Sequence, residues 1–323
     1  MLGGMGRFQK ASPGGADARL AADARLGRCA SCPRGCRADR RAGQRGWCGR
    51  GASAEVASVC LHRGEEPAVS GPGGIANVFF AGCNLRCVYC QNWQISRAGS
   101  PARFDSLDAV AGEVLGLLAA GASAVGFVSG AHVIPQVNHL AAELRARGAG
   151  VPFVLNTNAY ECPDSLRGLA GLLDVYLPDF KYAERRLAER LSGARNYPEV
   201  ALEALRQIYA RTGPELALDE SGQALRGLIV RHLVLPGQVE NSIACLRLVA
   251  RELSPEVWVS ILAQYQPTPE VAGEAQLGRR VTAEEYEAVL AEADRLGLEN
   301  GWRQELGSAA DWNPDFERQQ PFG

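Results

Sequence analysis

Residues 75 to 93, IANVFFAGCNLRCVYCQNW, run from an unbroken apolar stretch straight into three cysteines, Cys83, Cys87 and Cys90. The apolar part reads as a strand buried on both faces, as in a parallel sheet covered by helices. A turn containing Gly82 and Asn84 then carries the thiols at gaps of four and three. Ligands of parallel α/β sheets gather at the carboxyl ends of the strands, so these thiols stand where chemistry is expected. Gaps of four and three are not the paired spacing of tetrahedral zinc. Three thiolates on a cubane [4Fe–4S] cluster leave one iron open to a further ligand. Inert core cysteines are the weaker reading, because three fall within one short turn.

The same alternation continues down the chain. Apolar runs recur at 124 to 129 (AVGFVS), 152 to 157 (PFVLNT), 174 to 180 (DVYLPDF), 228 to 236 (LIVRHLVLP) and 257 to 265 (VWVSILAQY). Amphipathic stretches wide enough for crossover helices lie between them, such as LDAVAGEVLGLLAAG, VALEALRQIYARTG and NSIACLRLVAREL. Six βα units in series imply a parallel sheet, either curled into a partial barrel or open and doubly wound. A closing helix over 282 to 297 opens with Thr282 and Glu285, the spacing of a capping box.

The 323 residues allow one large domain with a small appendage. A net charge of -2 with interspersed signs argues against nucleic acid or an anionic membrane as partner. No signal peptide or membrane span is read, and with ten cysteines the expectation is a reducing, cytoplasmic setting in which thiols serve metals or redox chemistry. Residues 1–27 read as a flexible leader in which Met5 is a second candidate start, 28–70 as a Cys-rich metal-binding segment, 71–300 as the main domain and 301–323 as a C-terminal tail. Of 34 basic residues only Lys10 and Lys181 are lysine, so a lysine in the main domain stands out.

CASCPRGC and the later WCG place Cys29, Cys32, Cys36 and Cys48 in a segment with little apolar material. Four thiolates there make a closed site for structural zinc or a second [4Fe–4S] cluster, and metal binding would supply folding energy that the segment lacks. Cys60, Cys162 and Cys245 are isolated and read as core.

The loop GCNLRCVYCQNW resembles the radical S-adenosylmethionine (SAM) superfamily. With NTNAYE, YLPDFKY and IVRHLVLPG it is similar to the pyruvate formate-lyase activating enzyme-like group, over about residues 28 to 300. The resemblance implies a partial (βα)6 TIM-like barrel. It also implies a [4Fe–4S] cluster on Cys83, Cys87 and Cys90 whose open iron chelates SAM, and reductive cleavage of SAM to a 5'-deoxyadenosyl radical. Tyr89 matches an aromatic near the adenine. Asp179 and Lys181 match a DxK beside the methionyl end, the Asp helping to bind a cation, and Arg231 matches an arginine near the SAM carboxylate. Asn156 stands where a second cation-binding Asp is common, so that charge is missing here. The usual GGE is replaced by SGAH, leaving Ser129, Gly130 and His132 in its place. A backbone carbonyl or Ser129 could still accept from the SAM amino group, and His132 reads equally as a ligand contact or a structural histidine. His232 alternates with Arg231 and should face the other way. Gln264 and Tyr265 fall near the barrel mouth.

The expected function is hydrogen abstraction from a glycine of a partner glycyl radical enzyme, with reduced flavodoxin or ferredoxin as electron donor. One alternative is radical modification of another protein side chain or a small molecule. Another is a non-enzymatic iron–sulfur electron carrier.

Overall fold

The computed structural model describes residues 15–307 and 313–322. Residues 1–14, with both candidate starts, lie outside the described residues. Nine strands form one sheet: β1 (Val56–His62), β2 (Ile75–Phe80), β3 (Ala124–Val128), β4 (Phe153–Thr157), β5 (Val175–Pro178), β6 (Ala217–Leu218), β7 (Ala224–Leu233), β8 (Trp258–Leu262) and β9 (Gly301–Arg303). The spatial order is β1-β2-β3-β4-β5-β7-β8-β9, with β6 paired to β7 off this path. From β2 to β9 every neighbour on the path is parallel and follows its predecessor in sequence. A doubly wound sheet reverses its order at a switch point, and this one does not. The architecture is a partial TIM-like barrel, left unclosed between β1 and β9.

All six apolar runs of the sequence are strands. Three further strands escaped the pattern. β1 pairs antiparallel with β2 inside the segment expected to lack a core, β6 has two residues, and β9 pairs with β8 inside the expected tail. Each is short or of mixed polarity, so its pairing partner rather than its own periodicity decides its state. Residues 15–27 also differ from a flexible leader. They form the helix Gly15–Ala21 and a 3-10 turn, with Ala16, Leu20 and Leu26 buried. Asp17 explains the docking. Its carboxylate accepts from Ser106 Oγ and Leu107 N, each at 2.7 Å, at the amino end of helix Leu107–Ala119. A negative charge is favourable at that end.

The two-residue period of the strands sorts side chains between helices and lumen. Val78, Phe80, Val125, Phe127, Phe153, Leu155, Leu228 and Val230 belong to the main cluster that also holds helix residues such as Leu140 and Leu205. Their neighbours Ile75, Ala124, Val154, Val175 and Ile229 fill the barrel floor. One layer higher the inward positions include Val128, Asn156, Arg231 and Ser260, which line a cavity. The capping box of helix Ala283–Arg295 is formed as expected.

Two buried histidines and one buried acid make stability depend on pH. Burial pushes His132 and His232 down to about 4. Unfolded, they titrate near 6.5, so the unfolded chain binds the extra protons between those values and stability falls as pH drops from about 6.5 to about 4. Burial pushes Glu161 up to about 7, so its contribution is lost in the other direction, as pH rises from about 4.5 through 7. Thermal unfolding from pH 4 to 8 should show a shallower acid-side loss in His132→Gln and a shallower loss above pH 5 in Glu161→Gln. Unchanged slopes in both variants would mean that these groups are not buried in the uncharged form.

Candidate functional site

The lumen opens into a cavity of about 730 Å³ at the carboxyl ends of the strands. Cys83, Cys87 and Cys90, on the loop after β2, line it together with Tyr89, Ser129, Asn156, Asp179, Lys181 and Arg231. Nine residues scattered over 149 positions of sequence thus meet around one cavity, as sequential βα order requires. Gly130 does not line it. Its Cα faces helix Ile134–Ala146, where an added Cβ would stand 2.8 Å from Val137 Cγ2.

Several donors point at the sulfurs. Ser192 Oγ lies 3.0 Å from Cys87 Sγ, and the Leu85 amide and Asn158 Nδ2 each lie 3.4 Å from Cys83 Sγ. Burial pushes the Cys83 thiol up to about 12 and Cys87 up to about 11. Without metal they stay protonated at neutral pH, and ligation would release those protons. Among the described residues no three His, Cys, Asp or Glu side chains gather around a single metal ion. Three thiols lining one cavity, two of them with donors aimed at the sulfur, suit a multi-iron cluster, in which each sulfur binds its own iron. These residues fit the expected group.

Tyr89 is buried, and its hydroxyl meets Tyr182 at 2.5 Å. Tyr182 in turn meets Ser192 at 2.6 Å, completing a hydroxyl chain to Cys87. Across the cavity Lys181 Nζ stands 2.5 Å from Asp179 Oδ2. Burial alone would lower the lysine, but the Asp179 carboxylate more than offsets this and keeps it firmly charged.

Arg231 has partners the sequence did not announce. Its Nε donates to Glu66 Oε1 at 2.8 Å, and its Nη2 bridges Glu65 and Glu66. Burial would raise Glu65, yet the guanidinium draws it down to about 2. Asn77 Nδ2 holds Glu65 at 3.0 Å, and Asn77 crosses Gly126, where any Cβ would lie 1.9 Å from Asn77 Oδ1. Two carboxylates thus pair with Arg231 where it lines the cavity.

His132 is the structural histidine of its two readings. It is fully buried and its Nε2 lies 2.9 Å from Ala81 O, at the base of the cysteine loop. His232 faces away from Arg231, with Nδ1 2.7 Å from Phe180 O. Gln264 lines the cavity beside Gln304, whereas Tyr265 is turned away and donates to Leu277 O. Cys60 and Cys245 are buried, but Cys162 is half-buried and within electrostatic reach of Cys29, so it is no ordinary core residue.

Sequence reasoning missed Asn158, Ser192, Glu65, Glu66 and the cavity-lining Trp302 and Gln304. Asn158 follows Asn156 by two residues and could have been found from strand alternation. The other five carry no local signal. Pro314 and Phe322 also line the cavity, and Phe79 meets Phe316 edge-on and Phe322 at a tilt, so described residues of the expected tail pack against β2.

The Arg231 triad predicts a stability defect. Truncating one partner leaves the other charges buried, so Arg231→Ala should lower unfolding stability by about 3–5 kcal/mol. A denaturant titration checks this, and a loss below about 1 kcal/mol would mean that the triad is solvated.

Comparison with known proteins completes the description. The sequence pattern of the Radical SAM superfamily matches residues 77–244. An uncharacterized protein of Methanocaldococcus jannaschii is 28% identical over 284 residues, covering 84% of this chain and 75% of that protein. Among solved structures, Streptococcus suis SuiB bound to its precursor peptide SuiA is 13% identical with a TM-score of 0.47, over 71% of this chain. The match covers 48% of SuiB, so this chain corresponds to about half of that protein. A domain of a pyruvate-formate lyase-activating enzyme from Bacteroides vulgatus is 12% identical with a TM-score of 0.39, covering 53% of this chain and 93% of that domain. Among the described residues no helix is long and apolar enough to cross a membrane.

Proposed function

The chain belongs to the radical SAM superfamily, and we propose that it reductively cleaves SAM and takes a hydrogen atom from a glycine of a partner enzyme. The observation that carries this reading is the meeting of Cys83, Cys87 and Cys90 with Asp179 and Lys181 around one cavity. A [4Fe–4S] cluster and SAM supply the radical chemistry when bound, and the protein supplies binding, orientation and shielding. Cys83, Cys87 and Cys90 would hold the cluster, with Asn158, Ser192 and the Leu85 amide donating to the sulfurs and tuning it.

Lys181, paired with one carboxylate where Arg231 is held by two, is the cavity cation assigned to the ligand's carboxylate. Asp179 would hold Lys181 in place and meet the positive end of the ligand. Asn156 offers an amide to the same region, and Ser129, in the left-handed region at φ 59°, brings its hydroxyl to the cavity edge. Tyr89 would act through packing and through its hydroxyl chain to Cys87.

The cavity is roomy for one small ligand, toward the upper part of the usual ~300–1,000 Å³ range, which supports a second occupant such as a peptide segment. The glycyl target and a reduced flavodoxin or ferredoxin as donor rest on the sequence resemblance, and the cytoplasm is the proposed location. The missing GGE and Asn156 favour, as second reading, a different protein side chain or a small molecule as hydrogen donor. A bare electron carrier has no use for a lined cavity of this kind.

Anaerobically reconstituted protein given SAM and a strong reductant should form 5'-deoxyadenosine, and Cys87→Ala should form none. Product from the variant, or no product from loaded wild type with a glycyl radical enzyme present, would sink the assignment. Lys181→Ala should weaken SAM binding by about tenfold, or about 1.4 kcal/mol, in equilibrium titration. Unchanged affinity would move the carboxylate contact elsewhere.

A further inference from the structure

Residues 27 to 55 contain no strand and no helix, yet Cys29, Cys32 and Cys48 are buried, while Cys36 is exposed. Backbone turns hold them: Cys29 N donates to Ala38 O at 3.0 Å, Arg37 N to Cys29 O at 3.1 Å and Gly35 N to Cys32 O at 3.1 Å. Cys29 and Cys48 each lie within electrostatic reach of the other three thiols. Cys36 Sγ and Cys48 Sγ each stand 3.4 Å from the point a Cβ on Gly46 would occupy, so any side chain there would push into the space between them.

A second, independent observation is Arg40. It is 2% exposed, its Nη2 donates to Cys48 Sγ at 3.4 Å and to His132 O at 3.2 Å, and its Nε and Nη1 are buried without partners. No carboxylate pairs with it among the described residues. A buried guanidinium without a counter-charge costs several kcal/mol. Four neutral thiols do not supply that charge. Four thiolates on a metal centre do, since both a zinc ion and an oxidised cubane leave a net charge of about -2 on the site.

Zinc has no redox chemistry and gains nothing from a second metal site beside it, whereas an iron–sulfur cluster can exchange electrons with one.

The two cysteine groups touch. Gly82, immediately before Cys83, has φ +74° and packs against Cys48, whose carbonyl lies 2.5 Å from where a Gly82 Cβ would be. Arg34, between Cys32 and Cys36 in sequence, donates from Nε to Asn84 O at 2.8 Å and lies within electrostatic reach of both Cys32 and Cys83. One end of the quartet therefore faces solvent at Cys36 and the other abuts the SAM-site loop.

We infer that Cys29, Cys32, Cys36 and Cys48 hold a second, redox-active [4Fe–4S] cluster that passes one electron at a time from an external one-electron donor to the cluster on Cys83, Cys87 and Cys90. The donor loses the electron and the inner cluster gains it, with no bond made or broken. Arg40 is the buried counter-charge of the outer cluster. The relay rests on the function proposed above, but the cluster itself does not.

The test uses the full chain, reconstituted anaerobically. Wild type should carry roughly eight iron and eight sulfide, and a Cys83→Ala/Cys87→Ala/Cys90→Ala variant roughly four of each, with no zinc in either. Zinc, or an iron-free triple variant beside a wild type with only about four iron, overturns the inference; about eight iron in wild type upholds it even where the triple variant does not fold. Cys162→Ser should keep the full iron content, and loss of iron there would break the assignment of the quartet. In the reduced wild type, electron paramagnetic resonance should show two signals broadened by mutual coupling, sharpening in Cys32→Ala/Cys48→Ala, and simple additive signals would remove the electronic contact. Arg40→Gln should lower the potential of the outer cluster alone. An unmoved potential would overturn the counter-charge role.

Discussion

The two-residue period of seven parallel strands laid down in chain order is the constraint on which the rest of the molecule depends. Sequential order makes the sheet curl instead of reversing, and the period then decides that Val230 packs under helices while Arg231 points inward. A slip of one residue in β7 would exchange them, placing a guanidinium among aliphatic side chains and Val230 or His232 beside Glu65 and Glu66. The triad is both a product of the register and a reason why only one register is tolerated, since unpaired buried charges are so costly.

The strands that could be read from sequence were those buried on both faces, because burial on both sides forces continuous hydrophobicity. β1 and β9 lie at the two rims of the unclosed sheet, where one neighbour suffices and composition is freer. The cysteine loop and the Asp179–Lys181 pair were legible because each is a local motif at a strand end. Glu65, Ser192 and Gln304 were not, since each acquires its role from a residue more than 35 positions away, such as Arg231 for Glu65, Cys87 for Ser192 and Gln264 for Gln304. Arg231 shows what motif matching leaves out, since its partners come from the connection between β1 and β2.

Packing also explains how a segment with so little apolar material is held. Residues 28 to 55 are pinned by polar contacts to the cysteine loop and to the helix after β3: Arg34 to Asn84 O, Arg40 to His132 O, and Gln136 Nε2 to Ala52 O at 3.0 Å. Arg34 and Arg86 both stack on the Trp47 ring, at 4.0 and 4.2 Å from its centroid. Arginine suits this work, because its planar group stacks and donates in the same plane at once.

That preference has a chemical corollary. With Lys10 and Lys181 as the only lysines, nearly all the positive charge of the chain is carried by guanidinium groups that do not ionise away in the alkaline range and do not react as free amines. Apart from the α-amino group and Lys10, the primary amine of this protein is confined to a single half-sheltered position on the cavity wall. Reductive alkylation, which coats the amines of most proteins indiscriminately, would here act almost as a site-directed label, and its uptake at residue 181 would follow whether the lumen is filled or empty.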